Sequence, residues 1–245
     1  MPAKAKKFIQ SLAAVLFWLA VWQAAAAAVG RELLLPTPMA AFNALAENAI
    51  QPEFWRSVLL SLVRILLGFV SGVVLGVVFG TVTKAFKPAD ILLSPLLRII
   101  RATPVASFII LALVWINSGI LPGFISMLMV IPVVWANIYE GISSVDGRLL
   151  ELARVYRFSK AKTLKLIYIP SLRPYFKAAI ITSLGMAWKS GIAAEVLCQP
   201  RESIGLELYY AKLYLETADL FAWTAVVIIL SFIVEKGVAA LLKRM

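Results

Sequence analysis

Long apolar runs separated by short polar or basic segments dominate the amino-acid sequence. A helix needs about 20 predominantly apolar residues to cross the hydrocarbon core of a bilayer, and several runs reach that length. The third run is short unless its helix starts near Leu92 and carries Arg98 and Arg101 at its entry. The pattern predicts a single all-α, polytopic transmembrane domain over residues 1–245. The predicted spans, about six in number, cover residues 8–29, 58–81, 92–115, 121–139, 176–198 and 220–242.

Composition indicates that lipid is the main solvent of the chain. Hydrophobic residues make up 62% of the 245 residues, whereas soluble domains are usually about 45–50% apolar. There is no histidine and only one cysteine, which excludes an intrachain disulfide, a zinc site and any histidine-based metal or catalytic site. The first apolar run follows three lysines, as in a signal peptide. At about 22 residues it is longer than a signal core, so we expect it to be retained.

The cations are divided unequally between the two sides of the predicted spans. With the amino terminus placed inside, 18 of the 24 lysines and arginines lie in inside segments and four lie in outside segments. The other two, Arg64 and Lys189, lie within spans, and Arg64 is expected to snorkel or to pair with a carboxylate. This division follows the positive-inside rule and predicts that both termini are cytoplasmic. The net charge of +11 is therefore a topology signal, and no nucleic-acid partner is expected.

The second predicted span carries a glycine every four residues, in the segment GFVSGVVLGVVFG. On a helix these positions form one stripe, and small residues there let another helix approach closely. We expect the stripe to serve helix packing without a direct functional role. Its members, called the glycine stripe below, are Gly68, Gly72, Gly76 and Gly80.

Residues 151–170, ELARVYRFSKAKTLKLIYIP, carry five cations and one carboxylate in the largest predicted inside loop. Apolar residues at helical spacing predict two short amphipathic helices. Ser159 suits the N-cap of the second helix, and Pro170 ends it. The residues alone leave two interpretations open: the segment lies on anionic lipid headgroups, or its apolar ridge enters a groove of a cytoplasmic partner.

The same segment resembles the signature of a known family. That signature is Glu-Ala-Ala, three residues, Gly, nine residues, then Ile-x-Leu-Pro, and Glu151, Ala153, Ile167 and Pro170 match it in register. Arg157 stands where the family has glycine, a departure that concerns the turn between the two helices. The family is that of the membrane subunits of binding-protein-dependent ATP-binding-cassette importers. The segments LLPTP, SLVRILLGFVSGVVLG and SPLLRIIRATPVASF look like its nitrate, taurine and alkanesulfonate branch.

The resemblance implies a type I importer-like permease of the bacterial inner membrane. Residues 141–175 would form the coupling loop that contacts a separate cytoplasmic ATPase. The partners implied are two copies of that ATPase, an extracytoplasmic solute-binding protein and, as the simplest assembly, a second copy of this chain. The candidate coupling residues are Glu151, Ala153, Arg154, Arg157, Ser159, Ile167 and Pro170.

The sequence contains no G-x-x-x-x-G-K-[ST] phosphate loop. ATP and Mg²⁺ are therefore expected on the partner ATPase. This chain is expected to be a transport subunit that holds no cofactor and is not an enzyme.

Four residues are candidates for the translocation path: Lys189, Glu195, Trp115 and Asn137. A cation near the bilayer centre costs about 2.5–3.5 kcal/mol on insertion scales, so it usually faces a cavity or a partner. Lys189 either attracts an anionic solute, or is neutralised by a carboxylate of another helix or subunit or held neutral by burial. Glu195 is either a gate or a packing contact, and Trp115 is alternatively an interface anchor.

Two other classes of protein compete with the importer subunit. A secondary transporter would be expected to carry inverted repeats, and the sequence shows no convincing internal duplication. A lipid-binding membrane scaffold or embedded enzyme is the other alternative, and the spans hold no cluster of catalytic carboxylates. The solute itself cannot be read from the residues, because anions fit Lys189 while close relatives carry neutral or cationic nutrients.

Overall fold

The computed structural model describes residues 3–243, and Arg244 lies outside the described residues. Within this range the chain is helical and contains no strand, which confirms the predicted all-α class. Its elements are α1 (Ala3–Val29), α2 (Pro38–Ile50), α3 (Pro52–Ala85), α4 (Lys87–Ala102), α5 (Val105–Ala112), α6 (Leu121–Ser143), α7 (Gly147–Val155), α8 (Lys160–Thr163), a π-helical turn (Leu164–Tyr168), α9 (Ile169–Cys198), α10 (Ile204–Leu213) and α11 (Thr217–Lys243).

Among the described residues, four helices are long and apolar enough to cross a membrane by length and composition: α1, α3, α6 and α11. The bent pair α4–α5 would make a fifth span if it is counted as one. Helix α9 is long enough at 30 residues, but Lys189 and Glu195 make it more polar than these helices. The chain is thus confirmed as a multi-pass membrane protein, while the number six is not.

The single helix predicted over residues 92–115 is wrong. The structure has two helices, α4 and α5, whose axes are bent by 104°. The break lies at Thr103, which is extended (φ −80°, ψ 135°). Pro104 follows it, and a proline disfavours the α conformation of the preceding residue. Helix α5 ends at Ala112, so Trp115 lies beyond it.

The glycine stripe of α3 packs directly on α6. A Cβ atom built on Gly72 would lie 2.7 Å from Cβ of Val130, and one on Gly76 would lie 2.6 Å from Cβ of Val134. Gly80 meets Ile138 in the same way at 2.8 Å. Successive glycines therefore meet successive turns of α6, so α3 and α6 run parallel with their backbones in close approach.

Helix α9 packs antiparallel against this pair. Near its far end, Gly191 lies against Ile65 of α3 and Ser126 of α6, and near its start Tyr175 lies against Gly141 of α6. Helix α6 is consequently the central element of the bundle, and 67% of the residues in its most apolar 18-residue stretch are buried. Helix α1 is peripheral, because only 6% of the residues in its apolar stretch Leu12–Val29 are buried.

Candidate functional site

The loop that carries the family signature forms two short helices joined by a tight turn, followed by the π-helical turn that leads into α9. The prediction that Pro170 ends the second helix is wrong, because Pro170 lies in the first turn of α9, where a proline is tolerated. We call residues 147–168 the basic hairpin. Asp146 caps α7, because its side chain accepts a hydrogen bond from N of Arg148 at 2.9 Å. Ser159 caps α8 by accepting one from N of Lys162 at 3.3 Å. Both caps satisfy backbone donors that a helix start leaves free, so local sequence sets this geometry.

Arg157 occupies the left-handed position that ends α7, with φ +51°. The N–H of Phe158 donates to O of Ala153 at 2.8 Å, and the N–H of Arg157 donates to O of Arg154 at 3.0 Å. This pair of bonds is the Schellman arrangement, in which the left-handed residue is usually glycine. The turn implied by the family signature is therefore present, and an arginine occupies the position that glycine would take with less strain.

The basic hairpin buries two of its apolar residues and exposes several large ones. Ala153 and Ile167 are buried. Val155 is 78% exposed and Tyr156 is 69% exposed. Other large apolar side chains exposed on the hairpin are Leu149, Leu152, Leu164 and Leu166.

Charged side chains surround these apolar residues. Glu151, Arg154 and Arg157 are exposed, and so is Lys162, whose Nζ lies 4.1 Å from the ring centroid of Phe158. A cavity of about 370 Å³ opens between the two arms and is lined by Arg154, Arg157 and Phe158 among others. The hairpin thus exposes large apolar side chains together with basic ones.

The four candidate path residues do not come together. Lys189 is exposed on α9, and Trp115 is 74% exposed in the segment after α5. Asn137 is half-buried, and its Nδ2 donates to O of Val133 within its own helix at 2.8 Å. Glu195 is fully buried within the protomer, which favours the packing contact over the gate among the two roles expected for it.

Sequence reasoning missed the polar cluster that surrounds Glu195. Its Oε2 accepts a hydrogen bond from Oγ of Ser61 at 2.7 Å and one from N of Gly205 at 3.2 Å. Nη1 of Arg64 lies 3.5 Å from Oε1 of the same carboxylate, which fits the expectation that Arg64 pairs with an acid. The two charges in apolar runs were the only sequence signal for this contact, because the groups lie more than 130 residues apart.

The fold defines a multi-pass helical membrane protein. It is similar to a chain in the crystal structure of an amino acid ABC transporter, with a TM-score of 0.60 and 19% identity, covering 81% of this chain and 95% of that one. Residues 72–245 match the model of the family described as "Binding-protein-dependent transport system inner membrane component", and the chain belongs to that family. The resemblance inferred from the loop signature is thereby confirmed.

Several curated permeases are similar to the chain over most of their length. The putative aliphatic sulfonates transport permease protein SsuC of Bacillus subtilis is 26% identical, covering 83% of this chain and 74% of the relative. The taurine transport system permease protein TauC of Escherichia coli is 25% identical, covering 91% and 83%. The nitrate import permease protein NrtB of Synechococcus elongatus is 27% identical, covering 79% and 73%.

Proposed function

We propose that this chain is the permease subunit of an ATP-binding-cassette importer and that its basic hairpin is the docking site for the ATPase. The main support for this docking site is the set of large apolar side chains that the hairpin exposes together with basic ones. An apolar ridge of this kind is suited to a groove of another protein. The family signature in the same segment supports that assignment over simple contact with lipid headgroups.

The hairpin is joined to the bundle in a way that suits transmission of movement. Ala153 and Ile167 are its buried anchors, and the π-helical turn runs into α9 with no intervening loop. In the proposed cycle, ATP and Mg²⁺ bind to two copies of the separate ATPase, whose closure moves the hairpin. Helix α9 then moves with it, and the bundle switches between inward-facing and outward-facing states.

The translocation path is proposed to lie on the symmetry axis of a homodimer. Lys189 would contribute to it, because the residue is exposed on the face of α9 that also exposes Ala178, Thr182 and Ala193. A lysine there favours a small anionic solute, delivered by an extracytoplasmic binding protein. The relatives named for sulfonate, taurine and nitrate transport carry compounds that include an anionic group, which agrees with this charge.

We place the chain in the bacterial inner membrane with both termini in the cytoplasm. The cation distribution supports this orientation, because the basic hairpin and the ends of α3, α6 and α11 then share one side. The hairpin is consequently available to a cytoplasmic ATPase.

Co-purification directly tests whether the ATPase docks on the basic hairpin. Leu152→Asp or Val155→Asp places a charge on the apolar ridge, and burying an unpaired charge at an interface is strongly unfavourable. We expect either variant to lose the ATPase subunit of its transport system while inserting in the membrane like the wild type. Leu213→Asp is the matched control, since Leu213 is 54% exposed on α10. Full retention of the ATPase by both hairpin variants would refute the proposal that the basic hairpin is its docking site.

A further inference from the structure

The end of the bundle opposite the basic hairpin contains a buried polar cluster that joins three helices. Glu195 lies in the last turn of α9, Ser61 and Arg64 lie one turn apart on α3, and Gly205 is the second residue of α10. The carboxylate of Glu195 is fully buried. A buried charge must be compensated by specific partners, so each contact in this cluster matters to how the three helices are held.

The first turn of α10 is held by side chains of α3 and α9. N of Ile204 donates to Oγ of Ser61 at 2.9 Å, and Oγ of Ser61 in turn donates to Oε2 of Glu195 at 2.7 Å. N of Gly205 donates to the same Oε2 at 3.2 Å. Helix starts carry free N–H groups and a partial positive charge, and here a buried carboxylate of another helix satisfies both needs.

Arg64 ties the turn before α10 to α3. Its Nη2 donates to O of Arg201 at 3.0 Å and its Nη1 to O of Glu202 at 3.2 Å. Nη1 also lies 3.5 Å from Oε1 of Glu195, an oxygen with no hydrogen-bond partner among the described residues. Ion-paired hydrogen bonds are normally about 2.7–2.9 Å long, so the pair has room to close.

The turn itself needs such support. Gln199 and Glu202 both have left-handed backbone conformations, with φ +50° and +53°. Such conformations persist in non-glycine residues when surrounding contacts impose them. Gly205 adds a steric requirement, because a Cβ there would overlap Cβ of Glu195.

We propose that Glu195 and Arg64 are positioning residues that make the 199–203 turn a rigid extension of the α3–α9 pair. Helix α9 then connects this turn at one end with the basic hairpin at the other, over about 45 Å for 30 residues. This inference rests on the proposed function. It adds that the turn, which exposes Gln199 and Arg201 at the end of α9 opposite the basic hairpin, is contacted by the solute-binding protein, and that this contact signals to the ATPase through the cluster.

Amide hydrogen exchange of the permease in lipid nanodiscs tests the rigidity without any partner. Ser61→Ala removes one oxygen, and the loss of a hydrogen bond to a charged group should speed exchange at Ile204 and Gly205 by about tenfold or more. The matched control is Ser190→Ala, because Oγ of that buried serine bonds O of Ala187 within α9. Unchanged exchange at Ile204 and Gly205 in Ser61→Ala would overturn the proposal.

ATPase assays of the reconstituted complex test the signalling step. Glu195→Gln keeps the side-chain shape and removes the charge facing Arg64. We expect stimulation of ATPase activity by the binding protein to fall at least about fivefold, with basal activity unchanged, as for loss of a charge-assisted bond. Glu216→Gln, at an exposed site before α11, should behave as wild type.

A purely structural role would give a different result. Basal and stimulated activity would then fall in parallel in Glu195→Gln, and the signalling role would be refuted. A wild-type complex that the binding protein fails to stimulate would count against the proposed function and its signalling step. The exchange measurement would still decide whether the cluster holds the turn.

Discussion

Replacing Arg157 by glycine should stabilise the basic hairpin. Arg157 ends α7 with φ +51°, and a left-handed conformation costs a non-glycine residue about 1–2 kcal/mol. Glycine removes that strain but loses about 0.5–1 kcal/mol through its greater freedom in the unfolded chain. The net gain expected for Arg157→Gly is about 0.5–1 kcal/mol, which slows local opening roughly two- to fivefold.

Hydrogen exchange at the amides of residues 157 and 158 measures this opening, because both donate the bonds that close the turn. Arg157→Ala is the charge control: it also removes the guanidinium but keeps a Cβ, so its exchange should not slow. Arg154→Gly is the position control, since glycine inside a helix costs about 1 kcal/mol. Equal exchange in Arg157→Gly and Arg157→Ala would refute the argument from backbone strain.

Three further predictions follow from the packing, the path and a titrating group. Gly76→Ala should lower the melting temperature by an amount corresponding to about 1–3 kcal/mol of overpacking. Gly237→Ala should leave the melting temperature unchanged, because a Cβ built there has no neighbour within 4 Å among the described residues. Equal melting temperatures for the two variants would contradict the close approach of α3 and α6. Lys189→Met should abolish solute uptake by proteoliposomes at unchanged assembly, and wild-type transport would remove Lys189 from the path. Burial raises the pKa of Glu207 on α10, so the stability contributed by the protonated carboxyl is lost as the pH rises through that pKa. Glu207→Gln should therefore have a higher melting temperature than wild type at pH 8 and the same melting temperature near pH 4. A constant difference in melting temperature across that range would be evidence against the titration of Glu207.

The apolar runs were sufficient to predict the helical class and the long helices, because length and hydropathy alone determine whether a helix can cross a bilayer. They failed at Pro104. There the runs on either side of the proline have a suitable composition for one span, but the restricted backbone of Thr103 produces two helices. The same reasoning would have placed the break if the residue before the proline had been weighed above hydropathy.

The basic hairpin was predictable because its determinants are local. Ser159 and the spacing of apolar residues act within a few positions of one another. The cluster around Glu195 was not predictable, because its hydrogen bonds join α3 to α9 and α10 across 134 and 143 residues. Sequence pattern identifies Arg64 and Glu195 as unusual charges, but only tertiary packing determines that they face each other.

The contact between α3 and α6 limits the kinds of motion open to the bundle. The gaps left by three glycines of α3 are filled in turn by side chains of α6: Gly72 by Val130, Gly76 by Val134 and Gly80 by Ile138. These gaps repeat every four residues, about 6 Å along the axis. Sliding by part of a repeat would drive these branched side chains into the α3 backbone. The two helices can therefore tilt together but cannot slide past each other. In the proposed cycle, the switch between inward-facing and outward-facing states must come from movements that leave this contact intact.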